Sequence, residues 1–583
     1  MTFVLISNQR LNILDQKSIL RQLKLIIKLM ELHDENSFKI RSYQSTANTI
    51  DRGDVLIEGK SMEELQAING IGKSIAEVIF AIGQTGTHAY LEELLEKTPT
   101  GILEILEIKG LGPKKVKVLW EELDITSTHE LLEACQAGQV AKIKGFGEKT
   151  QESIIQALEF RASNMGKWLY ADIEEAMDSF AKQLLSLNGV EKAEPVGDYA
   201  RKMEVISTVE WLLESDDCKA SLKALNELQG LEKDEVKSSP FKWRGKLLDP
   251  EVQMLIHFTT SEKFVQEKVL RTGNKAHLLY PLKENKTLAE VLRSEGPFES
   301  EVALYEHLDL PFIPEELREG FVEFDLAKEN KVEKLLKEED LKGILHNHST
   351  YSDGKHSLRQ MAEACKDLGY EYLGISDHSR TASYAGGLEI EKVQKQWEEI
   401  DALNKELAPF KIFKGIESDI LTDGNLDYPD DILAGFDFVV ASVHSSLGMD
   451  RKRATARLLK AIENPYTTML GHPTGRLLLR REGYPLDHKA IIESCAKHGV
   501  IIEINANPWR LDLDWRWVNY AMEKGVMLSI NPDAHEVAGY ADMRYGVIVG
   551  RKGGLTSEMT FNAKTIEEVE KYFVDRKEKS KKK

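Results

Sequence analysis

GILHNHSTYSDG, residues 343–354, decides how the C-terminal part of this chain folds. A short apolar run ends abruptly in polar residues, and His346 and His348 are spaced two apart. On a strand both imidazoles then point the same way and can share a metal ion, and Asp353 follows in the turn. The same figure returns in YLGISDHS (372–379), IFKGIES (412–418), FVVASVHSS (438–446), TMLGHPTG (468–475), VIIEINANP (500–508) and VMLSINPDAH (526–535). Amphipathic stretches of helical character lie between them, such as SLRQMAEACKDLGY (357–370) and DHKAIIESCAKHG (487–499). Strand, polar turn and helix in repetition predict a parallel βα architecture, with the polar strand ends gathered on one rim.

That rim carries His378, Glu417, His444, His472, Asp533 and His535 in addition to the first three residues. Imidazole and carboxylate ligands suit Zn²⁺ and Mn²⁺, with Fe²⁺ also compatible, and they fit Ca²⁺ or a structural cysteine site poorly. Nine such groups are more than one ion can use, so two or three divalent ions are expected. Ions so bridged activate water and clamp the oxygens of a phosphoryl displacement. His356, His488 and His498 fall on predicted helices and are read as surface residues.

Upstream, one pattern occurs three times: AINGIGKSIAEVI (67–79), EIKGLGPKKVKVL (107–119) and KIKGFGEKTQESI (142–154). The first glycine of each pair (Gly70, Gly110, Gly145) can take positive φ between two helices. The second (Gly72, Gly112, Gly147) lets backbone approach a ligand closely. A helix follows whose free N–H groups suit a phosphate, with Lys73, Lys114, Lys115 and Lys149 nearby. LIIKLMELHDENSFKIRSYQSTANTI (25–50) has helical apolar spacing and then a basic stretch with Lys39, Arg41 and Tyr43.

The whole chain has 583 residues, 42% hydrophobic and 30% charged, which predicts a soluble protein of three or four domains. No apolar run reaches membrane-spanning length, and MTFVLISNQR lacks the layout of a signal peptide, so no membrane is expected. Four scattered cysteines read as free thiols in a reducing, cytoplasmic setting. A net charge of −19 argues against coating duplex DNA by bulk electrostatics. It leaves room for local backbone contacts. VDRKEKSKKK, from Val574, is expected as a solvated, disordered end.

HNHSTYSDG, ISDHS, GIESDI, SVHSS, GHPTGR, INANPWRLD and NPDAH closely resemble the polymerase and histidinol phosphatase (PHP) domain. The resemblance implies a distorted seven-stranded βα barrel with a trinuclear site. His346, His348, Glu417 and Asp533 would hold one metal. Glu417 would bridge to a second held by His444 and His472, and Asp353, His378 and His535 would hold the third. Arg476 and Arg510 are candidates for gripping substrate phosphates. The three repeats resemble helix-hairpin-helix motifs, which grip the DNA backbone without reading sequence, and residues 25–50 resemble the N-terminal small domain of family X DNA polymerases.

The order of parts is similar to bacterial family X DNA polymerase across nearly the whole chain, and RTGNKAHLL (271–279) and YEHLDLPFIPEELRE (305–319) extend the likeness. The expected architecture is a multidomain α plus α/β protein. Its parts are an N-terminal helical domain (1–90), further hairpins (91–165), palm and thumb (166–325), a linker (326–340) and the barrel (341–583). The family's palm holds two Mg²⁺ through "GSxRRxxxxxxDxD" and a later "VDLR". Here the first reads GDYARKMEVISTVEWL (197–212): Gly197 and Arg201 persist, but Asp198 replaces serine and Thr208 and Glu210 stand for the two aspartates. The second reads MLIH, with Leu255 at the third aspartate. The expectation is a DNA-repair nuclease: hairpins and a silent palm hold DNA, and the barrel hydrolyses a phosphodiester or 3′ phosphate as a 3′–5′ exonuclease, with no obligate protein partner. Residual gap-filling polymerisation, a histidinol-phosphatase type of small-molecule phosphatase, and a non-enzymatic DNA scaffold are the alternatives.

Overall fold

The computed structural model describes residues 16–51, 55–108, 110–239, 241–282 and 286–580. The MTFVLISNQR segment and the last three lysines of the tail lie outside them. The chain forms two compact units that meet in sequence at Met165 and Gly166.

Among its described residues the first unit is helical throughout. The 25–50 stretch divides into helices Gln16–Leu32 and Ser37–Asp51 because Asp34 turns left-handed (φ 52) and the Asn36 side chain accepts from the amides of Phe38 (2.9 Å) and Lys39 (3.3 Å). Ile26, Leu29 and Met30 are fully buried, and Tyr43, from the basic stretch, packs in the same core.

The second unit begins with a small sheet region. β1 (Trp168–Leu169) pairs with β3 (Val205–Ile206). β2 (Lys192–Val196), β4 (Val209–Glu214), β5 (Leu231–Lys233), β6 (Lys242–Leu248) and β7 (Glu251–Thr259) form a five-stranded sheet in the order β2-β4-β7-β6-β5. Only β4 and β7 are parallel. Period-two alternation puts Trp211, Leu213, Trp243, Met254 and Ile256 on one face, buried with Ile173, Met177 and Phe180 of helix Tyr170–Leu185. Thr208, Glu210, Leu255 and His257 therefore lie on the other.

The seven runs found in the sequence are seven parallel strands: β8 (Gly343–Ile344), β9 (Tyr372–Ile375), β10 (Lys411–Asp419), β11 (Phe438–Ser442), β12 (Met469–Leu470), β13 (Ile501–Asn505) and β14 (Leu528–Asn531). They pair in chain order, and a parallel bridge from Asn347 to Ala534 brings the first and last together into a nearly closed barrel. Gly415 has a packing reason: a Cβ there would lie 2.3 Å from the Phe438 ring and 2.5 Å from the Ile375 carbonyl. Phe413, Phe438, Phe561 and Phe573 pack in a second core beneath the strands.

Two expectations change here. The 326–340 stretch is not a free linker, since Leu335 and Leu336 are buried and the Leu336 amide donates to the Leu555 carbonyl (2.9 Å). The tail is helical through Ser580, because Phe573 anchors it in the lower core and Arg576 donates to the carbonyls of Gly499 (2.6 Å), His498 (3.2 Å) and Thr467. No described helix is long and apolar enough to cross a membrane.

Candidate metal centre and hairpin surface

The nine rim residues converge at the C-terminal ends of the barrel strands. His346 (φ 61), His472 (φ 20) and Asp533 (φ 54) turn left-handed where strand gives way to loop. Such backbone costs about 1–3 kcal/mol per residue, and it persists only where the surroundings fix it. Glu417 sits at the centre. Its Oε1 lies 3.0 Å from His472 Nε2, 3.1 Å from His444 Nε2 and 3.3 Å from His346 Nε2, and its Oε2 lies 2.9 Å from His378 Nδ1. Asp533 Oδ1 is 3.0 Å from His348 Nε2, and Asp353 Oδ1 is 3.3 Å from His535 Nε2 and 3.7 Å from His378 Nε2. The donors form four overlapping groups that can each hold an ion: His348, Asp353, His378 and His535; His346, Glu417 and His472; His346, His348 and Asp533; His378, Glu417 and His444.

The donor chemistry fits divalent ions. His346 Nε2, His348 Nδ1, His378 Nδ1, Glu417 Oε2 and His472 Nδ1 are buried and make no hydrogen bond of good geometry, although His378 Nδ1 and Glu417 Oε2 lie only 2.9 Å apart. Groups of that kind are costly to leave unsatisfied, unless a ligand completes them. Carboxylates that orient the histidines of the cluster are also in place. Glu503 Oε1 lies 2.6 Å from His346 Nδ1 and its Oε2 accepts the His472 amide (2.8 Å), while Asp419 Oδ1 lies 2.6 Å from His444 Nδ1. Buried Asp377 accepts from the Ser349 amide (2.8 Å), Ser349 Oγ (2.7 Å) and Gln396 Nε2 (2.6 Å), and so fixes the turn that carries Asp353. Reasoning from the sequence missed these three. The available signal for Glu503 was a lone carboxylate within an otherwise apolar strand.

Electrostatics point the same way. Burial, then repulsion from His535 and His378, push His348 down to about 3. Burial opposes charge on His444 as well, but Glu417 and Asp419 overcome it and raise the ring to about 10. His535 rises to about 9 against its burial because Asp353 and Asp533 face it. Glu417 and Asp533 are held well below the usual carboxylate range despite burial, chiefly by His444 and His346 respectively. The cluster demands positive charge, and a metal ion entering it displaces protons. The mouth lies on the side of Asp353 and His535, whose side chains are 36% exposed.

The two arginines differ. Arg476 is engaged within the fold: Nε donates to the Arg510 carbonyl (2.8 Å), Nη1 to Asp514 (2.6 Å) and Nη2 to the Leu511 carbonyl. The expected phosphate grip is thereby corrected to a clamp on the 510–514 loop. Arg510 stands at the rim, its Nε 3.5 Å from Asp533 Oδ2. Of the histidines set aside, His488 stacks on Trp517 (centroids 4.6 Å apart) and His498 ends its helix. His356 is in a loop rather than a helix, where its Nδ1 accepts from the Val537 amide (3.3 Å).

In the first unit the three hairpins repeat one geometry. Gly70, Gly110 and Gly145 have φ of 90, 90 and 94. Gly72, Gly112 and Gly147 are the N-caps of helices Lys73–Thr85, Pro113–Leu123 and Glu148–Asn164. Neither glycine of any pair has an atom within 4 Å of where a Cβ would stand. The first glycine is thus explained by backbone conformation. The second, with φ of −75, −75 and −151, has no such need and no packing need, and its bareness exposes helix amides. Lys73, Lys114 and Lys149 are exposed in the first turns, while Lys115 Nζ donates to the Gly110 carbonyl (3.2 Å). Lys115 and Lys149 line a cleft of about 250 Å³ with Gly110 and Thr150.

On the other face of the five-stranded sheet, where Val196, Leu212 and Phe264 pack together, Glu210 is directly opposite Leu255 on the parallel neighbour. Glu210 Oε2 lies 3.1 Å from His257 Nε2, with Arg271 Nη1 3.4 Å from the same nitrogen. Asp198 pairs with Arg201, which also donates to Glu319 (3.0 Å) and the Thr272 carbonyl (2.6 Å). Buried Lys552 from the barrel meets this network at Glu319 (2.8 Å) and the Arg201 carbonyl (2.9 Å).

The PHP domain family matches residues 345–507, a helix-hairpin-helix domain matches 15–88, and a SAM-like helix-hairpin-helix tandem matches 102–159. A "Probable phosphatase" of Thermoanaerobacter is 25% identical over 252 residues, 41% of this chain and 98% of that protein. A second, from Caldanaerobacter subterraneus, is 26% identical over 208 residues, 33% of this chain and 77% of that protein. The "DNA polymerase/3'-5' exonuclease PolX" of Bacillus subtilis is 34% identical over 569 residues, 96% of this chain and 99% of that protein. With its hairpins, sheet and barrel in the same single chain, the protein belongs to the PolX family that carries a C-terminal PHP domain.

Proposed function

We propose that this protein is a metal-dependent DNA phosphoesterase of the 3′–5′ exonuclease kind, acting in repair, whose hairpins hold the DNA backbone and whose palm no longer polymerises. The observation that carries the reading is the convergence of His346, His378, His444 and His472 on the buried Glu417 carboxylate, with His346 Nε2 and Glu417 Oε2 left without a hydrogen bond. His346, His348, Glu417 and Asp533 would hold one ion. Glu417, His444 and His472 would hold a second, and Asp353, His378 and His535 a third. The nitrogen-rich donors favour Mn²⁺ or Zn²⁺, with Fe²⁺ also compatible. When bound, such ions supply Lewis acidity and lower the pKa of water. Glu503, Asp419 and Asp377 fix the orientation of the ligands, and Arg510 at the rim takes a substrate phosphate oxygen.

The Bacillus subtilis relative is named for both a polymerase and an exonuclease, and two partial relatives are named probable phosphatases. The hydrolytic half of that pattern is supported by the full ligand set. The polymerising half is disfavoured by Thr208 and Leu255, which supply no anionic ligand, and by Glu210, whose carboxylate is engaged by His257. The Asp198–Arg201 pair likewise leaves little for a triphosphate.

Hydrolysis of a 5′-labelled DNA strand with Mn²⁺ tests the reading. Shortening is expected in the wild type and should be lost in His346→Ala and Asp533→Ala, whereas shortening that survives both changes places the nuclease elsewhere.

A further inference from the structure

Tyr384 is an exposed aromatic beside the metal centre. It is 72% exposed, the only aromatic of the barrel's described residues left so open, and its ring centroid lies 6.4 Å from that of His378. His378 Nε2 lies in turn 3.7 Å from Asp353 Oδ1, so Tyr384 stands on the side where Asp353 and His535 open to solvent.

The loop holds it there firmly. Ala382, the N-cap of the Ser383–Ala385 turn, and Ala385, its last residue, are both buried, so the alanines anchor the backbone and leave the tyrosine outside. The Thr381 amide donates to Asp427 (2.7 Å) and its hydroxyl to Asp419 (2.8 Å), the same carboxylate that orients His444. The loop closes as the Leu388 amide donates to the His378 carbonyl (2.9 Å), and Gly387 passes so near Ser379 that a Cβ would lie 2.1 Å from its carbonyl oxygen. A rigid turn thus presents a flat apolar surface to water at the entrance of a site for phosphates. Core packing has no use for it there. A substrate with a π-face does, because every nucleobase stacks on an aromatic ring whatever its sequence.

We propose that Tyr384 is a base-stacking subsite: its ring receives the nucleobase of the terminal nucleotide whose phosphate enters the metal centre. The inference rests on the phosphoesterase reading and adds a reason for preferring nucleotide ends over bare phosphate esters. The ring is the working part, so Tyr384→Phe keeps the property and Tyr384→Ala removes it.

The test uses the full chain and two DNA strands that differ only in whether the 3′-terminal sugar bears a base or is abasic. Tyr384→Ala should lower kcat/KM about 10-fold on the base-bearing end and leave the abasic end unchanged, with Tyr384→Phe within about twofold of wild type on both. A spectroscopic arm uses 2-aminopurine at the 3′ end behind phosphorothioate linkages. Wild type and Tyr384→Phe should quench its emission, and Tyr384→Ala should not. Equal loss on both ends, or quenching that persists in Tyr384→Ala, overturns the proposal. If wild type cleaves neither strand, the phosphoesterase reading has failed, and the emission arm alone decides for or against the stacking subsite.

Discussion

Replacing Gly72, Gly112 and Gly147 together by alanine should separate DNA binding from folding. Their φ values of −75, −75 and −151 suit alanine, and no atom lies within 4 Å of the added methyl groups. What remains is a poorer N-cap, roughly 0.5–1 kcal/mol per helix. The sum, about 1.5–3 kcal/mol, is tolerable against a typical domain stability of about 5–15 kcal/mol. On the ligand side each methyl occupies open space through which a phosphate would approach the first amides of the helix. A hydrogen bond to a charged group is worth about 1.5–3 kcal/mol, so losing even one per hairpin weakens binding well over tenfold. Alanine at Gly70, Gly110 and Gly145 should do the reverse, because left-handed alanine costs about 1–2 kcal/mol each and the first unit should melt early. Fluorescence anisotropy of a labelled duplex in chelator, beside thermal melts, reads both effects. Duplex affinity within about twofold of wild type in the Gly72, Gly112 and Gly147 triple variant would refute the assignment of those amides to phosphate.

Glu503→Gln removes the charge behind His346 and should weaken Mn²⁺ binding about 10–100-fold by calorimetry, with unchanged affinity counting against an orienting role. Arg476→Ala should lower thermal stability through the 510–514 loop, whereas Arg510→Ala should leave the melting temperature unchanged and raise KM for DNA ends. Burial works against the charge of Glu319, but Lys552 and Arg201 hold its carboxyl below the usual range. Its contribution is therefore complete above the unfolded value of about 4.3 and fades as pH falls through the lower folded value. Glu319→Gln should flatten that acid limb in melts followed against pH, and should cost about 3–5 kcal/mol at neutral pH by leaving buried Lys552 without an ion-pair partner, while Arg201 keeps Asp198.

The barrel was legible because apolar runs ending in histidine or carboxylate recur at strand spacing, and each of the seven became a strand. The hairpins were legible because two glycines with separate physical duties recur three times. What the sequence concealed is pairwise and distant. Glu503 meets His346 across 157 residues, and no local pattern announces a carboxylate that works through another residue's ring. Arg476 looked like a rim cation, and only the path of the 510–514 backbone reveals three acceptors waiting for it. The tail reads as solvent-bound by composition, yet Phe573 and Arg576 give it a seat because carbonyls of residues 467–499 end up beneath it. Tyr384 could not be singled out, since a single tyrosine in a loop has no periodic pattern that tells an exposed ring from a buried one.

The central claim, one working centre and a silent palm, is tested most directly by incubating the full chain with 5′-labelled primer–template, Mn²⁺ and all four dNTPs. The account predicts products shorter than the primer and none longer. Products extended by added nucleotides would contradict it.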